Sequence, residues 1–125
     1  MFFIDSQSRK AVYEQLTEQA QRLISTGLLA PNDPMPSVRS LSVSLGVNPN
    51  TIQRAYTELD YKGLIYSVPG KGCFVCADAG EKIKAGMMNK LSEIEALASS
   101  FAAVGIEKSV VIDAVEKGYK TEAKN

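Results

Sequence analysis

A short segment of the chain carries polar side chains that can read the edges of DNA bases. Gln53 can form two hydrogen bonds with adenine, and Arg54 can do the same with guanine or bind a phosphate. Asn50 and Thr51 precede them as short polar residues that suit contacts with phosphates or bases. These side chains can act together only if one helix presents them on the same outer face.

The flanking residues predict such a helix. Asn48 is a favoured N-cap residue, and Pro49 suits the first helical position because its missing N–H would have no partner there. Apolar residues recur at i, i+3, i+4 and i+7, at Ile52, Ala55, Tyr56 and Leu59. Asn48 is itself a candidate contact, although Asn48, Asn50 and Thr51 could instead serve only as caps. Tyr56 fits the core better than a role in base stacking.

A second, shorter helix is predicted just before it. Ser37 follows Pro36 as an N-cap, Val38 and Leu41 recur at helical spacing, and Gly46 suits the residue after the helix. Two helices joined by a tight turn make a helix-turn-helix whose second helix enters the major groove. Arg39 lies in the first turn of the shorter helix, either as a DNA contact or as an ordinary solvated side chain.

The residues after the helix-turn-helix predict a β-hairpin. Strands are expected at Leu64–Val68 and Cys73–Cys76, which are rich in β-forming residues. Gly70, Lys71 and Gly72 occupy the turn, where glycines allow a close backbone approach and the lysine supplies a cation. The hairpin is thus a wing that fits a minor groove or a run of phosphates.

The chain resembles the GntR family of bacterial transcription regulators at many spaced positions. The matching motifs are Val12-Tyr13-Glu14-Gln15-Leu16, Pro36-Ser37-Val38-Arg39, Asn48-Pro49-Asn50-Thr51, Ala55-Tyr56, Glu58-Leu59, Gly63-Leu64-Ile65 and Gly70-Lys71-Gly72-Cys73-Phe74-Val75. The resemblance implies that Arg39 reaches the DNA. The short remainder resembles the YtrA-like branch, in which a two-helix segment replaces a large effector domain and builds a dimer on an inverted-repeat operator.

Ahead of the helix-turn-helix, a scaffold helix is predicted from about Arg9 to Thr26, with a loop over Leu28–Pro34. After the wing, a helix is expected over Glu81–Phe101, a second over Glu107–Glu116, and a frayed tail after Lys117. The apolar stripe of the longer helix contains Ile83 and the candidate dimerisation residues Met87, Leu91, Ile94, Ala98 and Phe101.

Two helices of this size cannot bury their apolar faces alone, so a homodimer is the economical arrangement. A DNA-binding domain is therefore expected over residues 1–77 and a dimerisation segment over residues 78–125. An unknown small-molecule effector could bind near Met87, Met88, Leu91 and Phe101, although plain interface packing explains these residues more simply.

The charge balance argues mildly against nucleic-acid binding, because phosphate contacts supply most of the affinity. The chain has 14 Lys or Arg and 14 Asp or Glu, so its formal net charge is zero. Arg39, Arg54 and Lys71 on the expected DNA face, however, have no acidic residue within three positions in sequence. Binding as a dimer, with a strong dependence on salt, is the expectation.

Composition bounds the remaining classes of function. The chain contains no histidine, which excludes Ser-His and Cys-His catalysis, and it has no phosphate-binding glycine loop followed by Lys and Ser or Thr. We therefore expect a non-enzyme without a cofactor. No apolar run approaches a membrane span, and the first residues do not resemble a signal peptide, so no membrane association and a cytoplasmic location are expected.

Cys73 and Cys76 are spaced like a redox or zinc motif. Residues i and i+3 of a strand point to opposite faces, so a disulfide between them is disfavoured, and a zinc site would need two further ligands. No metal is expected, and two inert thiols are the simplest interpretation. A thiol-based redox sensor stays open as an alternative.

The sequence thus predicts a mainly α protein with a small β-hairpin, in which an N-terminal winged helix-turn-helix precedes a two-helix C-terminal dimerisation segment. The predicted function is a sequence-specific transcription regulator, a repressor by its resemblance, that binds double-stranded DNA as a homodimer. A winged-helix module for protein–protein contact is the other alternative, and it would require apolar residues on the outer face of the second helix-turn-helix helix.

Overall fold

The computed structural model describes residues 1–123, and the chain divides into two compact units, Met1–Ala85 and a second that starts at Gly86. The first unit contains α1 (Val12–Thr26), α2 (Val38–Leu45), α3 (Pro49–Tyr61), β1 (Ile65–Val68) and β2 (Gly72–Val75). The division falls within α4 (Ala79–Met88), and α5 (Leu91–Ala103) and α6 (Lys108–Ala123) follow. The prediction of a winged helix-turn-helix followed by helices is confirmed.

The first unit closes around one apolar core. Leu16 and Ala20 of α1 face Ile52 and Leu59 of α3, and all four are almost fully buried. The remaining buried apolar residues are Ile24, Leu29, Met35, Leu41, Ala55, Tyr56, Leu64, Ile65, Val75 and Ala79. The predicted buried stripe of α3 is therefore confirmed, and its opposite face is left to solvent.

The ends of α2 and α3 follow from local capping. The Ser37 hydroxyl accepts a hydrogen bond from the Ser40 N–H at 3.0 Å, and the Asn48 side chain accepts one from the Asn50 N–H at 2.8 Å. Gly46 ends α2 with φ of 66°, a left-handed conformation that lets the chain turn at once into α3. These caps fix where the second helix of the helix-turn-helix begins.

The first helix starts later than predicted, at Val12 rather than near Arg9. Before Val12 the chain turns, and the Lys10 N–H donates to the Ser8 hydroxyl at 3.1 Å. Such a local side-chain bond offers the backbone an alternative to the helix. Sequence periodicity does not reveal this, because the polar residues before Val12 have no apolar pattern to contradict a helix.

Two glutamines of α1 hold the segment before that helix in place. The buried Gln15 amide accepts from the Asp5 N–H at 2.9 Å and donates to the Asp5 carbonyl at 3.2 Å and the Lys10 carbonyl at 3.0 Å. Gln19 accepts from the Phe3 N–H at 3.1 Å and donates to the Phe3 carbonyl at 2.9 Å. The two side chains thus satisfy extended backbone as a neighbouring strand would.

The wing is an antiparallel hairpin that a preceding loop reinforces. Ile65 pairs with Val75 and Val68 with Gly72, so each strand lies about one residue from its predicted bounds. The Met35 N–H donates to the Cys73 carbonyl at 2.8 Å, and the Val75 N–H donates to the Asp33 carbonyl at 2.9 Å. An isolated pair of strands is marginal in water, and these bonds tie the wing to the core instead.

The prediction of one long helix over Glu81–Phe101 is wrong. The structure has α4 and α5 there, separated at Asn89 and Lys90, where the Lys90 N–H donates to the Met87 carbonyl at 2.9 Å. Asn89 favours turns over helix interiors because its side chain competes for nearby backbone groups. The apolar spacing continues across this turn, so periodicity could not reveal the break.

The first unit also reaches further than residue 77. Ala79 is 1% exposed and Ile83 packs against the core, so the beginning of α4 belongs to the first unit, which extends to Ala85. This leaves a shorter second unit than the segment expected to start at residue 78.

The predicted frayed tail after Lys117 is also wrong, because α6 continues to Ala123. Lys117 pairs with Asp113 one turn earlier at 3.1 Å, and the Thr121 hydroxyl donates to the Lys117 carbonyl at 3.0 Å. Polar residues such as Lys and Glu are good helix formers, so a polar composition alone does not end a helix. Residues 124 and 125 lie outside the described part of the tail.

Candidate nucleic-acid interface

The outer face of α3 presents the side chains that the sequence singled out. Asn50, Gln53 and Arg54 are exposed, and Thr51 is half-buried. The Gln53 amide donates to the Thr57 hydroxyl one turn later at 3.3 Å, a long bond that a base edge could replace. The surface near the start of α3 is therefore polar, which does not fit the apolar outer face required by a protein–protein module.

Asn48 and Arg39 flank this face in different ways. The Asn48 side-chain oxygen is already engaged in capping α3, which leaves its amide N–H groups for other partners. Arg39 is exposed in the first turn of α2, beside an open surface groove lined by Ser37, Ser40, Val43 and Ser44. The structure thus confirms the capping role of Asn48 and leaves its DNA contact a prediction.

Arg54 does not extend freely into solvent. Its guanidinium carbon lies 3.7 Å from the centre of the Tyr13 ring, which stands in the first turn of α1. Tyr13 is half-buried and packs against the core of the first unit. Tyr13 was not among the predicted site residues, and the signal that could have singled it out is its place in the family motif Val12-Tyr13-Glu14-Gln15-Leu16.

Tyr56 belongs to the core, as predicted, rather than to the outer face. Its ring is 4% exposed, and its hydroxyl donates to the Pro36 carbonyl at 2.6 Å. Burial, with a smaller contribution from Cys73, raises the pKa of Tyr56 well above its ordinary value. This bond ties α3 to the residue just before α2 and so fixes the two helices of the helix-turn-helix relative to each other.

The tip of the wing exposes Gly70, Lys71 and Gly72. Gly70 has φ of 78° and Gly72 has φ of 111°, conformations that only glycine adopts readily. The Lys71 N–H donates to the Val68 carbonyl at 2.9 Å, which closes the turn and leaves the ammonium group outside it. The backbone of the tip can therefore approach another surface closely beside one positive charge.

The strands behind the tip are stiffened by aromatic packing. Tyr66 and Phe74 stack with ring centres 5.6 Å apart, and the Tyr66 hydroxyl donates to the Asn32 side chain at 3.0 Å. Together with the loop bonds to β2, these contacts hold the wing in one orientation. The charge at Lys71 is thereby kept at a defined place on the first unit.

The ion pairs leave the cations of this face available. Within residues 1–123, Lys10 pairs with Glu18 at 2.6 Å, Lys82 with Asp78 and Lys117 with Asp113. Arg39, Arg54 and Lys71 take part in none of these pairs. Their charges are thus not neutralised within the described chain, although the formal net charge of the protein is zero.

The two cysteines are free thiols in separate surroundings. Cys73 lies in β2 with its sulfur 3.4 Å from the Ser67 hydroxyl, and Cys76 follows the strand. Burial raises the pKa of Cys76, and the Asp78 and Asp60 carboxylates add to that rise while Lys82 opposes it. A smaller thiolate fraction at neutral pH makes the Cys76 thiol less reactive, which argues against its use as a redox sensor.

The second unit has the opposite character, an apolar surface. Ile94, Ala98 and Phe101 of α5 face Val111 and Val115 of α6 across an open groove of about 390 Å³. Of the other two candidate dimerisation residues, Met87 is 59% and Leu91 is 48% exposed, and neither lines the groove. Of the residues suggested for an effector pocket, Met87, Met88, Leu91 and Phe101, only Phe101 lines this groove. That pocket was expected between two copies of the chain, so it stays a prediction.

No helix formed by residues 1–123 is both long enough and apolar enough to cross a bilayer. Among those residues, no three acidic or thiol side chains gather closely enough to hold a metal ion.

Comparison with known proteins decides the family. Residues 10–75, from the turn before α1 to the end of β2, match the family described as bacterial regulatory proteins of the gntR family. The protein belongs to the GntR family. This match covers α1, the helix-turn-helix and the wing, so the polar face of α3 and the tip of the hairpin are parts of a family DNA-binding domain. GntR proteins are transcription regulators rather than enzymes.

Relatives extend the likeness of this GntR protein beyond the winged helix. The transcriptional repressor YtrA of Bacillus subtilis is 36% identical over 93 residues, which are 74% of this chain and 72% of YtrA. The uncharacterized regulator YhcF of the same organism is 33% identical over 113 residues, 88% of this chain and 91% of YhcF. The resemblance to the YtrA-like branch is confirmed.

Solved structures agree. A GntR family transcriptional regulator from Listeria monocytogenes superposes with a TM-score of 0.71 at 34% identity, over 91% of this chain and 98% of the other. The DNA-binding domain of AraR, solved in complex with operator ORE1, superposes with a TM-score of 0.52 at 33% identity, over 58% of this chain and 89% of that domain.

Proposed function

We propose that the protein is a transcriptional repressor that binds an inverted-repeat operator as a homodimer, with α3 in the major groove and the wing at the minor groove or phosphates. The observation that carries the proposal is the exposed polar face at the start of α3, where Asn50, Gln53 and Arg54 stand on a helix held by a packed core. Partly buried Thr51 adds a hydroxyl near the helix start.

The dimensions of α3 suit this role. An α-helix with side chains is about 10–12 Å across, and the major groove is about 12 Å wide. Gln53 and Arg54 lie in the second turn of α3, from which long side chains reach base edges. Asn48, Asn50 and Thr51 lie at its start, where backbone N–H groups favour a phosphate.

The cations of the first unit define the rest of the contact. Arg39 would bind the DNA backbone from α2, and Lys71 would bind it from the wing, while Gly70 and Gly72 permit close approach. So small a number of cations at the contact predicts modest non-specific affinity, because each phosphate contact contributes through the release of counterions. Specific binding must then depend on two copies of the domain.

Homodimerisation is supported by the second unit. Leu91 is 48%, Ile94 55% and Leu97 60% exposed. Full burial of one such side chain stabilises a protein by about 1.5–3 kcal/mol relative to leaving it exposed. Their packing against the same face of a second copy would remove these surfaces from water. The two first units could then lie on half-sites about 34–36 Å apart, one helical turn of DNA.

The names of similar proteins support the regulatory direction. YtrA is described as a transcriptional repressor, and the AraR domain was solved with operator DNA. Repression would follow if the dimer occupied an operator that overlaps a promoter.

The test is selection of bound sequences from random duplex DNA at about 0.15 M salt, where non-specific binding is weak, with Arg54→Ala as the control. We expect wild type to enrich an inverted repeat and Arg54→Ala to enrich it poorly. Sedimentation of wild type with the selected duplex should give two chains per duplex. Enrichment of a single half-site by a monomer would contradict the dimer, and no enrichment by a folded protein would contradict sequence-specific binding.

A further inference from the structure

We propose that Tyr13 is a specificity-determining positioning residue, whose ring holds the Arg54 guanidinium in the orientation needed for a base edge. The inference rests on the proposed DNA-binding function. The observation behind the inference is the 3.7 Å separation between the Arg54 guanidinium carbon and the centre of the Tyr13 ring. This contact joins the first turn of α1 to the outer face of α3, two elements that no local sequence pattern connects.

The Arg54 guanidinium lies close over the Tyr13 ring. Cation–π contacts extend to about 6 Å from the ring centre, and here the guanidinium carbon lies 3.7 Å from it. Guanidinium groups stack on aromatic faces, an arrangement that places the ring on one side of the group.

This arrangement leaves the hydrogen-bonding capacity of Arg54 unused. The five N–H donors of a guanidinium lie in its plane and point outward from its edge, whereas the ring occupies only one face. Within residues 1–123, no ion pair involves Arg54, even though Glu58 lies one turn later in α3. The side chain is thus oriented without being neutralised.

Tyr13 can orient Arg54 because its own position is fixed. Its ring is half-buried and packs against the core of the first unit, and α1 packs along α3. An arginine that moves freely in solvent loses conformational entropy when it binds, and a side chain held in place loses less. A bidentate base contact depends on direction more than a phosphate contact does, so the benefit should fall mainly on the cognate sequence.

The contact can first be tested without DNA. The ring current of Tyr13 should shift the side-chain protons of Arg54 upfield of those of the exposed Arg39 in the NMR spectrum of the free protein. Tyr13→Leu should abolish this difference, and Tyr13→Phe should retain it. Equal shifts for Arg54 and Arg39 in wild type would overturn the proposal.

The effect on recognition is tested with the selected inverted-repeat duplex and a scrambled duplex of equal length. We expect Tyr13→Leu to weaken binding about two- to fivefold on the selected duplex. It should leave scrambled-duplex affinity and the salt slope unchanged, since no charge is removed. Tyr13→Phe, the matched control, should retain wild-type affinity because the ring is kept.

A double-mutant cycle separates this proposal from the proposed function. Arg54→Ala should weaken selected binding about 5- to 150-fold, and adding Tyr13→Leu to it should cause no further loss. If Arg54→Ala has no effect, the assignment of Arg54 in the proposed function fails. If Arg54→Ala acts and Tyr13→Leu does not, only the positioning role fails. A Tyr13→Leu loss that persists without Arg54, or that is equal on both duplexes, would also overturn that role.

Discussion

The two units of the chain treat similar apolar side chains in opposite ways. Ile52 in the first unit is 0% exposed, whereas Ile94 in the second is 55% exposed. In the second unit, among the residues whose burial is described, only Phe101 and Val111 are even partly buried. Both units are helical, so secondary structure does not explain the difference. The first unit has enough elements to surround a core, and two helices do not.

The first unit can fold around its own core, whereas the apolar surface of the second unit needs a partner to cover it. Three helices and a hairpin can enclose the apolar face of α3, so its polar outer face is carried on a stable base. A pair of helices can cover only part of each other's apolar surface. The rest is removed from water only when a further partner packs against it. This difference between the units is the one that the proposed function requires, with a DNA-binding face on the first unit and chain-to-chain packing on the second.

Ending the chain after Ala85 would separate the first unit from the second. The first unit retains its core, so its unfolding should stay cooperative, while operator affinity should fall about 100- to 10,000-fold through the loss of the second linked half-site contact. Sedimentation and binding to a selected duplex would measure both effects. A dimeric fragment would show that the second unit is not the assembly surface.

The same change of side chain in each unit is the next test. Ile52→Ala should lower the free energy of unfolding by about 2–5 kcal/mol, because it opens a cavity in a closed core. Ile94→Ala should change the unfolding of the dissociated chain by no more than about 0.5 kcal/mol and should weaken dimerisation instead. Denaturant titrations at low and high protein concentration distinguish the two. If both variants lost the same free energy of unfolding at every protein concentration, the two units would not differ in the proposed way.

A smaller effect is expected from Tyr56→Phe, which removes the hydroxyl that donates to the Pro36 carbonyl. The loss should be about 1 kcal/mol at neutral pH. Because the pKa of Tyr56 is raised in the fold, the native state holds this proton more tightly than the unfolded state does. Its contribution is complete below about pH 10 and is lost as the pH rises above it.

Denaturant unfolding between pH 8 and 11 would check this, since wild type should lose its advantage over Tyr56→Phe as the pH rises. An advantage that is constant across this range would show that the buried hydroxyl does not titrate differently in the fold.

The smallest expected change comes from Lys71→Ala at the tip of the wing, compared with Lys117→Ala in α6. Removal of one phosphate contact should reduce the slope of log affinity against log salt by about 0.9. Lys117 pairs with Asp113 in the second unit, so its loss should leave that slope unchanged. Binding titrations at several salt concentrations give both slopes. Equal slopes for wild type and Lys71→Ala would show that Lys71 of the wing does not contact a phosphate.

Local signals determined much of the first unit. Ser37, Asn48, Pro49 and Gly46 bring capping and turn preferences with them, and the apolar period of α3 shows which of its faces is buried. These preferences act between near neighbours, so a single sequence contains all the information they need. The helix-turn-helix, the wing and the outward positions on α3 were therefore predictable.

Which distant groups meet depends on the packing of elements that are far apart in sequence. The stacking of Arg54 on Tyr13, the glutamine bonds from α1 to the N-terminal segment, and the loop that reinforces β2 depend on packing between separate elements. The turn at Asn89 and the extension of α6 past Lys117 also differed from prediction, because apolar spacing continues across a turn and polar residues can still be helical. Periodicity identifies a face, but three-dimensional packing determines what that face contacts and where a helix ends.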